Sequence, residues 1–305
     1  MTLDVALAPA HSRGVRRTLW LVCLPLMWGC HITQPSPIPF ASWRTTLPQW
    51  SPYVVLQPND LALAGYRDAL TKLLAAQAVV GVRVPLFADG RAAQTVALAA
   101  SLNLEIVGVI DDADLMSGDV VAMFDRYRST YQQVKTFQIG NEVTTFPGMP
   151  MTIERYLDVF TRIYAHVLDR YPDVLLLTQS TFGSGTMGGS DLGATIGRLR
   201  SRVSPERVVL AVNVYTNKAL NADVTEEAAT FGFRIWVTET GIANPAQQVA
   251  YVMRMYPLLQ MLRPERIYWY ALWAGDVGND SGYSLVTNAT HPPVVPSPLF
   301  QTLTD

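Results

Sequence analysis

From about residue 50 the chain alternates two hydrophobic patterns. Short, nearly continuous apolar runs recur at YVVLQ (53–57), VVGVRVPLF (79–87), LEIVGVI (104–110) and VKTFQIG (134–140). They continue at VLLLTQS (174–180), RVVLAVNVY (207–215), FRIWVTE (233–239) and IYWYALW (267–273). Such runs suit strands covered on both faces of a parallel sheet. Between them lie segments with apolar residues at helical spacing: Asp60–Ala76, Arg91–Leu102, Asp119–Gln133, Thr152–Tyr171, Asp191–Val203, Thr225–Phe231 and Ala246–Leu262. Thr152 is placed to cap the first turn of its helix.

Strand–helix alternation implies parallel pairing through right-handed crossovers. Eight such units predict an α/β fold, a closed (β/α)8 TIM barrel in a single domain. The competing architecture is an open doubly wound sheet. That fold usually carries a Gly-rich turn after its first strand. Here the first strand runs into PNDLALAG, without G-x-G-x-x-G, which favours the barrel.

The first 50 residues follow a different pattern. Arg13, Arg16 and Arg17 precede the apolar run TLWLVCLPLMWG (18–29), which Cys30 closes. This reads as a signal peptide over 1–30, in the form of a lipoprotein signal whose Cys30 would be lipidated and attach the chain to a membrane. An uncleaved anchor, or secretion with cleavage elsewhere, fits the same pattern. Residues 31–50 are Pro-rich and read as a tether, leaving 51–305 as the catalytic domain. The expected location is the periplasm, the cell envelope or the exterior.

Composition narrows the function. The chain has 305 residues, 49% hydrophobic, with a formal net charge of −2. Its basic residues are scattered, with no run to track a phosphate backbone, so nucleic acid is not an expected partner. The four histidines (His11, His31, His166 and His291) end no strand, so neither a metal-dependent hydrolase nor a Ser or Cys nucleophile with a His base is expected. No metal and no cofactor is called for.

In a (β/α)8 barrel, chemistry collects at the C-terminal ends of the strands. Polar groups gather there: Asn59 and Asp60, Arg83, Asp111, Asn141 and Glu142, Gln179, Asn213 and Tyr215, Glu239, and Trp273 with Asp276. Glu142 and Glu239 end the fourth and seventh runs, on nearly opposite sides of a small barrel. Two carboxylates across a cleft are the machinery of glycoside hydrolysis, one protonated and one ionised. Arg83 and Tyr215 are the candidates to keep the second one charged. Each residue has a plainer reading. Asp60 and Asp111 could be helix caps, Arg83 an interior ion-pair partner, Tyr215 and Trp273 aromatic core, and Asp276 a loop residue. Their joint placement is what points to a site.

GNE at 140–142 and TETG at 238–241 resemble the two glutamate motifs of clan A glycoside hydrolases, which are retaining (β/α)8 enzymes. The resemblance spans roughly residues 50–303, including the ending SGYSLV…PSPLFQTL before a last helix. It implies Glu142 as acid/base, Glu239 as nucleophile, and Asn141 as a partner of the sugar 2-hydroxyl. It implies Arg83 beside the nucleophile, Tyr215 hydrogen-bonded to it, and Trp273, with Trp269, under the sugar ring. Many members carry a His on the sixth strand where Asn213 stands here, so the sugar, the linkage and the family stay open. The expected partner is a carbohydrate. Loops 144–150 and 181–190 are candidate subsite walls. A barrel lipoprotein that binds polysaccharide without cutting it, and a transglycosylase, are the alternatives. If both Asn141 and Glu142 serve the cleft, regular pleating must end by Asn141.

Overall fold

The structure is a computed structural model and describes residues 42–116, 118–144, 151–182, 189–216 and 222–305. The expected signal segment, Cys30, most of the expected tether and the greater part of the two loops expected as subsite walls (145–150 and 183–188) lie outside the described residues.

Eight parallel strands form the frame: β1 Tyr53–Val55, β2 Gly81–Leu86, β3 Glu105–Ile110, β4 Thr136–Ile139, β5 Leu175–Leu177, β6 Val208–Asn213, β7 Arg234–Thr240 and β8 Arg266–Trp269. Each pairs with the next in chain order, and β8 returns to β1 through Tyr53 opposite Tyr268, so the sheet closes. The crossover helices are α1 Leu63–Ala75, α2 Ala93–Ser101, α3 Val120–Thr130, α4 Ile153–Arg170, α5 Gly189–Leu199, α6 Ala222–Thr230 and α7 Gln248–Leu259. A last helix, α8 Pro298–Thr304, follows β8. This is a single-domain (β/α)8 barrel. These eight strands and the seven crossover helices lie where the hydrophobic pattern places them, within a few residues; the short strands Thr181–Phe182, Val286–Thr287 and Val295–Pro296 are not expected from it.

Two apolar layers hold the frame. Outward-facing residues such as Val54, Val82, Phe137, Ile139 and Val237 are buried with the helices' apolar stripes. Inward-facing Val55, Val107, Leu177, Val209, Ala211, Trp236 and Tyr268 form a smaller cluster inside the barrel. The strands are covered on both faces, which is why they lack polar alternation. Burying each such side chain contributes about 1.5–3 kcal/mol. Local caps agree with this frame: Thr152 Oγ1 accepts the Arg155 amide at 3.3 Å and starts α4.

The expected tether gives way to packed structure before residue 51. Trp43–Thr46 forms a turn of helix, and Trp43, Leu47 and Trp50 are buried. Trp43 Nε1 donates to Ala76 O at 2.7 Å and Trp50 Nε1 to Ala78 O at 2.9 Å. Trp50 also stacks on Tyr256 with centroids 5.8 Å apart. Two tryptophans that bury their rings and satisfy both N–H groups make these residues part of the barrel body.

Candidate active site

Above the inner apolar cluster the barrel turns polar. Arg83 points inward from the middle of β2 and is buried, with all three guanidinium nitrogens engaged. Its Nε donates to Gln138 Oε1 at 2.8 Å, one terminal nitrogen to Glu239 Oε1 at 2.6 Å and the other to Asn141 Oδ1 at 2.8 Å. One cation thus ties β2 to the ends of β4 and β7. Gln138 is held in turn by Ser180 Oγ at 2.8 Å and Gly140 O at 2.9 Å. Burying a guanidinium is costly unless every donor finds an acceptor, and here each nitrogen does.

The end of β4 shows how the sequence turns two adjacent residues the same way. The strand stops at Ile139, and Gly140 and Glu142 both adopt the left-handed region, at φ 79° and 59°. At Gly140 a Cβ would lie 2.7 Å from Leu115 Cδ1, so both the backbone and the space call for glycine. Glu142 has no such freedom, and a left-handed non-glycine residue costs about 1–2 kcal/mol. The broken pleat brings both side chains to Asn213 on β6, whose Nδ2 donates to Glu142 Oε1 at 2.7 Å and to Asn141 Oδ1 at 3.4 Å.

β7 delivers Glu239 through an irregularity. Val212 pairs with Val237, but Asn213 pairs with Glu239, which leaves Thr238 as an extra residue. Thr238 fills the layer beneath, its hydroxyl oxygen 3.1 Å from Val212 O, 3.0 Å from Asn213 Oδ1 and 2.8 Å from Ser180 Oγ. Bulges of this kind re-aim the next side chain. Glu239 is buried, with one oxygen on Arg83 and the other accepting the Tyr215 hydroxyl at 2.7 Å.

The two carboxyl groups therefore sit in opposite environments. Glu239 has a cation and a phenol. Among the described residues Glu142 has a hydrogen bond from the neutral Asn213 amide, and burial pushes its carboxyl up to about 7, with the Glu239 charge adding to the effect and Arg83 opposing it. Burial also raises the Tyr215 hydroxyl well above its ordinary value, so it stays a donor.

A cleft of about 400 Å3 opens over this layer. Its lining includes Arg83, Asn141, Tyr215 and Glu239, together with Gln57, Phe87, Asp111, Asp112, Tyr270, Asp280 and Tyr283. Among the described residues no group of three His, Cys, Asp or Glu side chains is placed to hold a metal ion.

Glu142 and Asn213 are not in this lining but are hydrogen-bonded to each other beside Asn141, which is; two other expected site residues lie elsewhere. Trp273 is buried outside the cleft lining, edge-on to Tyr66 at 6.1 Å, with Nε1 donating to Asp276 Oδ1 at 2.8 Å. The strand stops at Trp269, so Tyr270 is the first aromatic at the mouth, and it lines the cleft beside Tyr283. Trp269 is core, with Nε1 on Tyr283 O. Gln179 is also turned away. Pleating of β5 ends at Leu177, Thr178 Oγ1 takes the Ala211 amide, and Ser180 enters the barrel in place of Gln179. The Gln179 amide side chain instead pairs with Thr144, just after Glu142. Asp276 is a loop residue that accepts from Trp273 and from the Asn288 amide, and Asp111 caps the Ala113 amide while lining the cleft. Gln138, Ser180 and Thr238 are polar residues inside strand runs, a signal present in the sequence but easily read as strand tolerance. Asp112, Tyr270 and Tyr283 carried no motif.

No protein-family model and no curated protein sequence matches this chain. Solved structures do. A family GH39 β-xylosidase from Caulobacter crescentus superposes with a TM-score of 0.58 at 9% identity, over 84% of this chain and 70% of that one. A mannohexaose complex of a Thermomonospora fusca β-mannanase gives 0.56 at 13% identity, over 78% and 83%. A family 5 xyloglucanase from Paenibacillus pabuli gives 0.53 at 14% identity, over 85% and 97%. The chain is similar to these proteins in fold, the (β/α)8 barrel.

Proposed function

We propose that the protein is a glycoside hydrolase that cleaves β-glycosidic bonds of an oligo- or polysaccharide with retention of configuration. Glu142 is the acid/base and Glu239 the nucleophile. The observation that carries the reading is the split environment of the two carboxyl groups at the ends of β4 and β7. A desolvated Glu142 holds a proton near neutral pH, while Glu239 accepts hydrogen bonds from the Arg83 guanidinium and the Tyr215 hydroxyl. In the first half-reaction Glu142 gives its proton to the departing glycosidic oxygen as that bond breaks. A Glu239 oxygen bonds to the anomeric carbon. In the second, ionised Glu142 takes a proton from water, whose oxygen displaces Glu239. One water is consumed and both groups return to their starting states.

Asn141, positioned by Arg83, is the partner for the sugar 2-hydroxyl, and Tyr270 and Tyr283 offer ring faces for a pyranose. The xyloglucanase, mannanase and xylosidase activities of the proteins with this fold belong to the same chemical class. The test is a panel of aryl β-glycosides and of β-glucans, mannans, xylans and galactans, with wild type beside Glu239→Gln. Cleavage of at least one substrate, lost by about 10⁴-fold or more in the variant, is expected. A wild type that binds a polysaccharide and cuts none would replace the hydrolase with a binding barrel.

A further inference from the structure

The turn that presents Glu142 is held by a group outside the carboxylate pair. Asp112 follows the end of β3 and lines the cleft. Its Oδ1 accepts the backbone N–H of Asn141 at 2.7 Å, across 29 residues of chain. That amide lies between the two left-handed residues, Gly140 and Glu142; Asn141 is bridged to Ser180, whose carbonyl accepts the next amide, that of Glu142, at 3.0 Å, while the Asn141 amide itself goes to Asp112. A Cβ on Gly140 would stand 3.2 Å from the same oxygen, so the carboxylate is packed directly against the turn.

We propose that Asp112 is a positioning residue: its carboxylate clamps the Asn141 amide and thereby holds the turn that aims Asn141 and Glu142 at the substrate. The assignment rests on the reading of Glu142 as acid/base and adds a second effect. The charged groups facing Asp112 are Asp111 beside it in the chain, Arg83 from β2 and Glu142 from the β4 turn; the Tyr156 hydroxyl of α4 also feels its charge. Burial pushes the Asp112 carboxyl up to about 6, against the pull of the Asn141 amide. Once ionised, Asp112 repels a charge on Glu142 and helps it keep its proton. Clamp and charge act together: between the two titrations Asp112 is already ionised on the Asn141 amide while Glu142 still holds its proton.

The experiment follows the Asn141 amide and the Asp and Glu carboxyl carbons by NMR in the full chain, for wild type, Asp112→Asn and Asp112→Ala. In wild type the Asn141 amide proton should titrate together with Asp112. Asp112→Asn retains an acceptor oxygen, so the amide should stay hydrogen-bonded but lose that titration, and the Glu142 midpoint should move down. Asp112→Ala should free the amide and, on a glycoside the wild type cleaves, lower kcat by about 10²-fold with little change in KM. If the alanine variant does not fold, the asparagine variant decides alone. An Asn141 amide that ignores Asp112, with the same Glu142 midpoint in wild type and Asp112→Asn, would overturn the proposal. A wild type that cleaves no glycoside but shows the linked titration would remove the acid/base reading and leave the clamp standing.

Discussion

The raised Glu142 carboxyl has a consequence for folding that can be measured without any substrate. In the folded chain this group holds its proton to about pH 7, whereas an ordinary glutamate releases it near 4.5. Between those values the folded state binds more protons than the unfolded state, so stability falls as pH rises through the window and stays reduced above it. Two and a half pH units, at about 1.4 kcal/mol per unit, place the cost at about 3 kcal/mol. Glu142→Gln has the same shape, can still accept the Asn213 amide and never ionises. It should match wild type near pH 4 and exceed it by about 3 kcal/mol near pH 8. For a domain of this size that is roughly 6–12 °C in Tm, read by circular dichroism at the two pH values. Asp112 titrates with the same sign, but it is present in both proteins and drops out of the difference to first order. A Glu142→Gln variant no more stable than wild type near pH 8, or equally stabilised at both pH values, would refute the reasoning.

Two further outcomes follow from the same geometry. Arg83→Met should destabilise the fold by about 3–5 kcal/mol in urea unfolding, because it strands a buried Glu239 carboxylate and leaves Gln138 and Asn141 without their donor. A loss below about 1 kcal/mol would mean the layer can rearrange around the missing cation. Tyr270→Ala should raise KM by about 10-fold, while Trp273→Phe should cost about 1 kcal/mol of stability through its lost bond to Asp276 and leave KM unchanged. Steady-state kinetics on both variants separates the cleft aromatic from the buried one.

The barrel was legible because strands buried on both faces read as uninterrupted apolar runs, and seven helices separate eight of them. Glu142, Glu239, Arg83 and Tyr215 were legible as polar interruptions at one end of those runs. Trp273 and Gln179 were misplaced for one shared reason. Each lies two or more residues beyond the last regular strand residue, Trp269 and Leu177, where side-chain direction no longer alternates. Beyond that point direction depends on tertiary partners such as Asp276 for Trp273 and Thr144 for Gln179. The Thr238 bulge and the Asp112 clamp are likewise set by contacts between strands, which no local pattern records. The buried residues Trp43 and Trp50 were hidden by their Pro-rich neighbours.

The most direct test of the account is a covalent trap at the nucleophile. Wild type would be incubated with 2-deoxy-2-fluoro-β-glycosyl fluorides of the glucose, mannose and xylose series, digested, and sequenced by mass spectrometry. The substituted sugar slows breakdown of the glycosyl-enzyme more than its formation. The account predicts a single modified peptide with the sugar esterified to Glu239, absent from Glu239→Gln. A label on any other residue, or turnover of these compounds with no trapped intermediate, would contradict it.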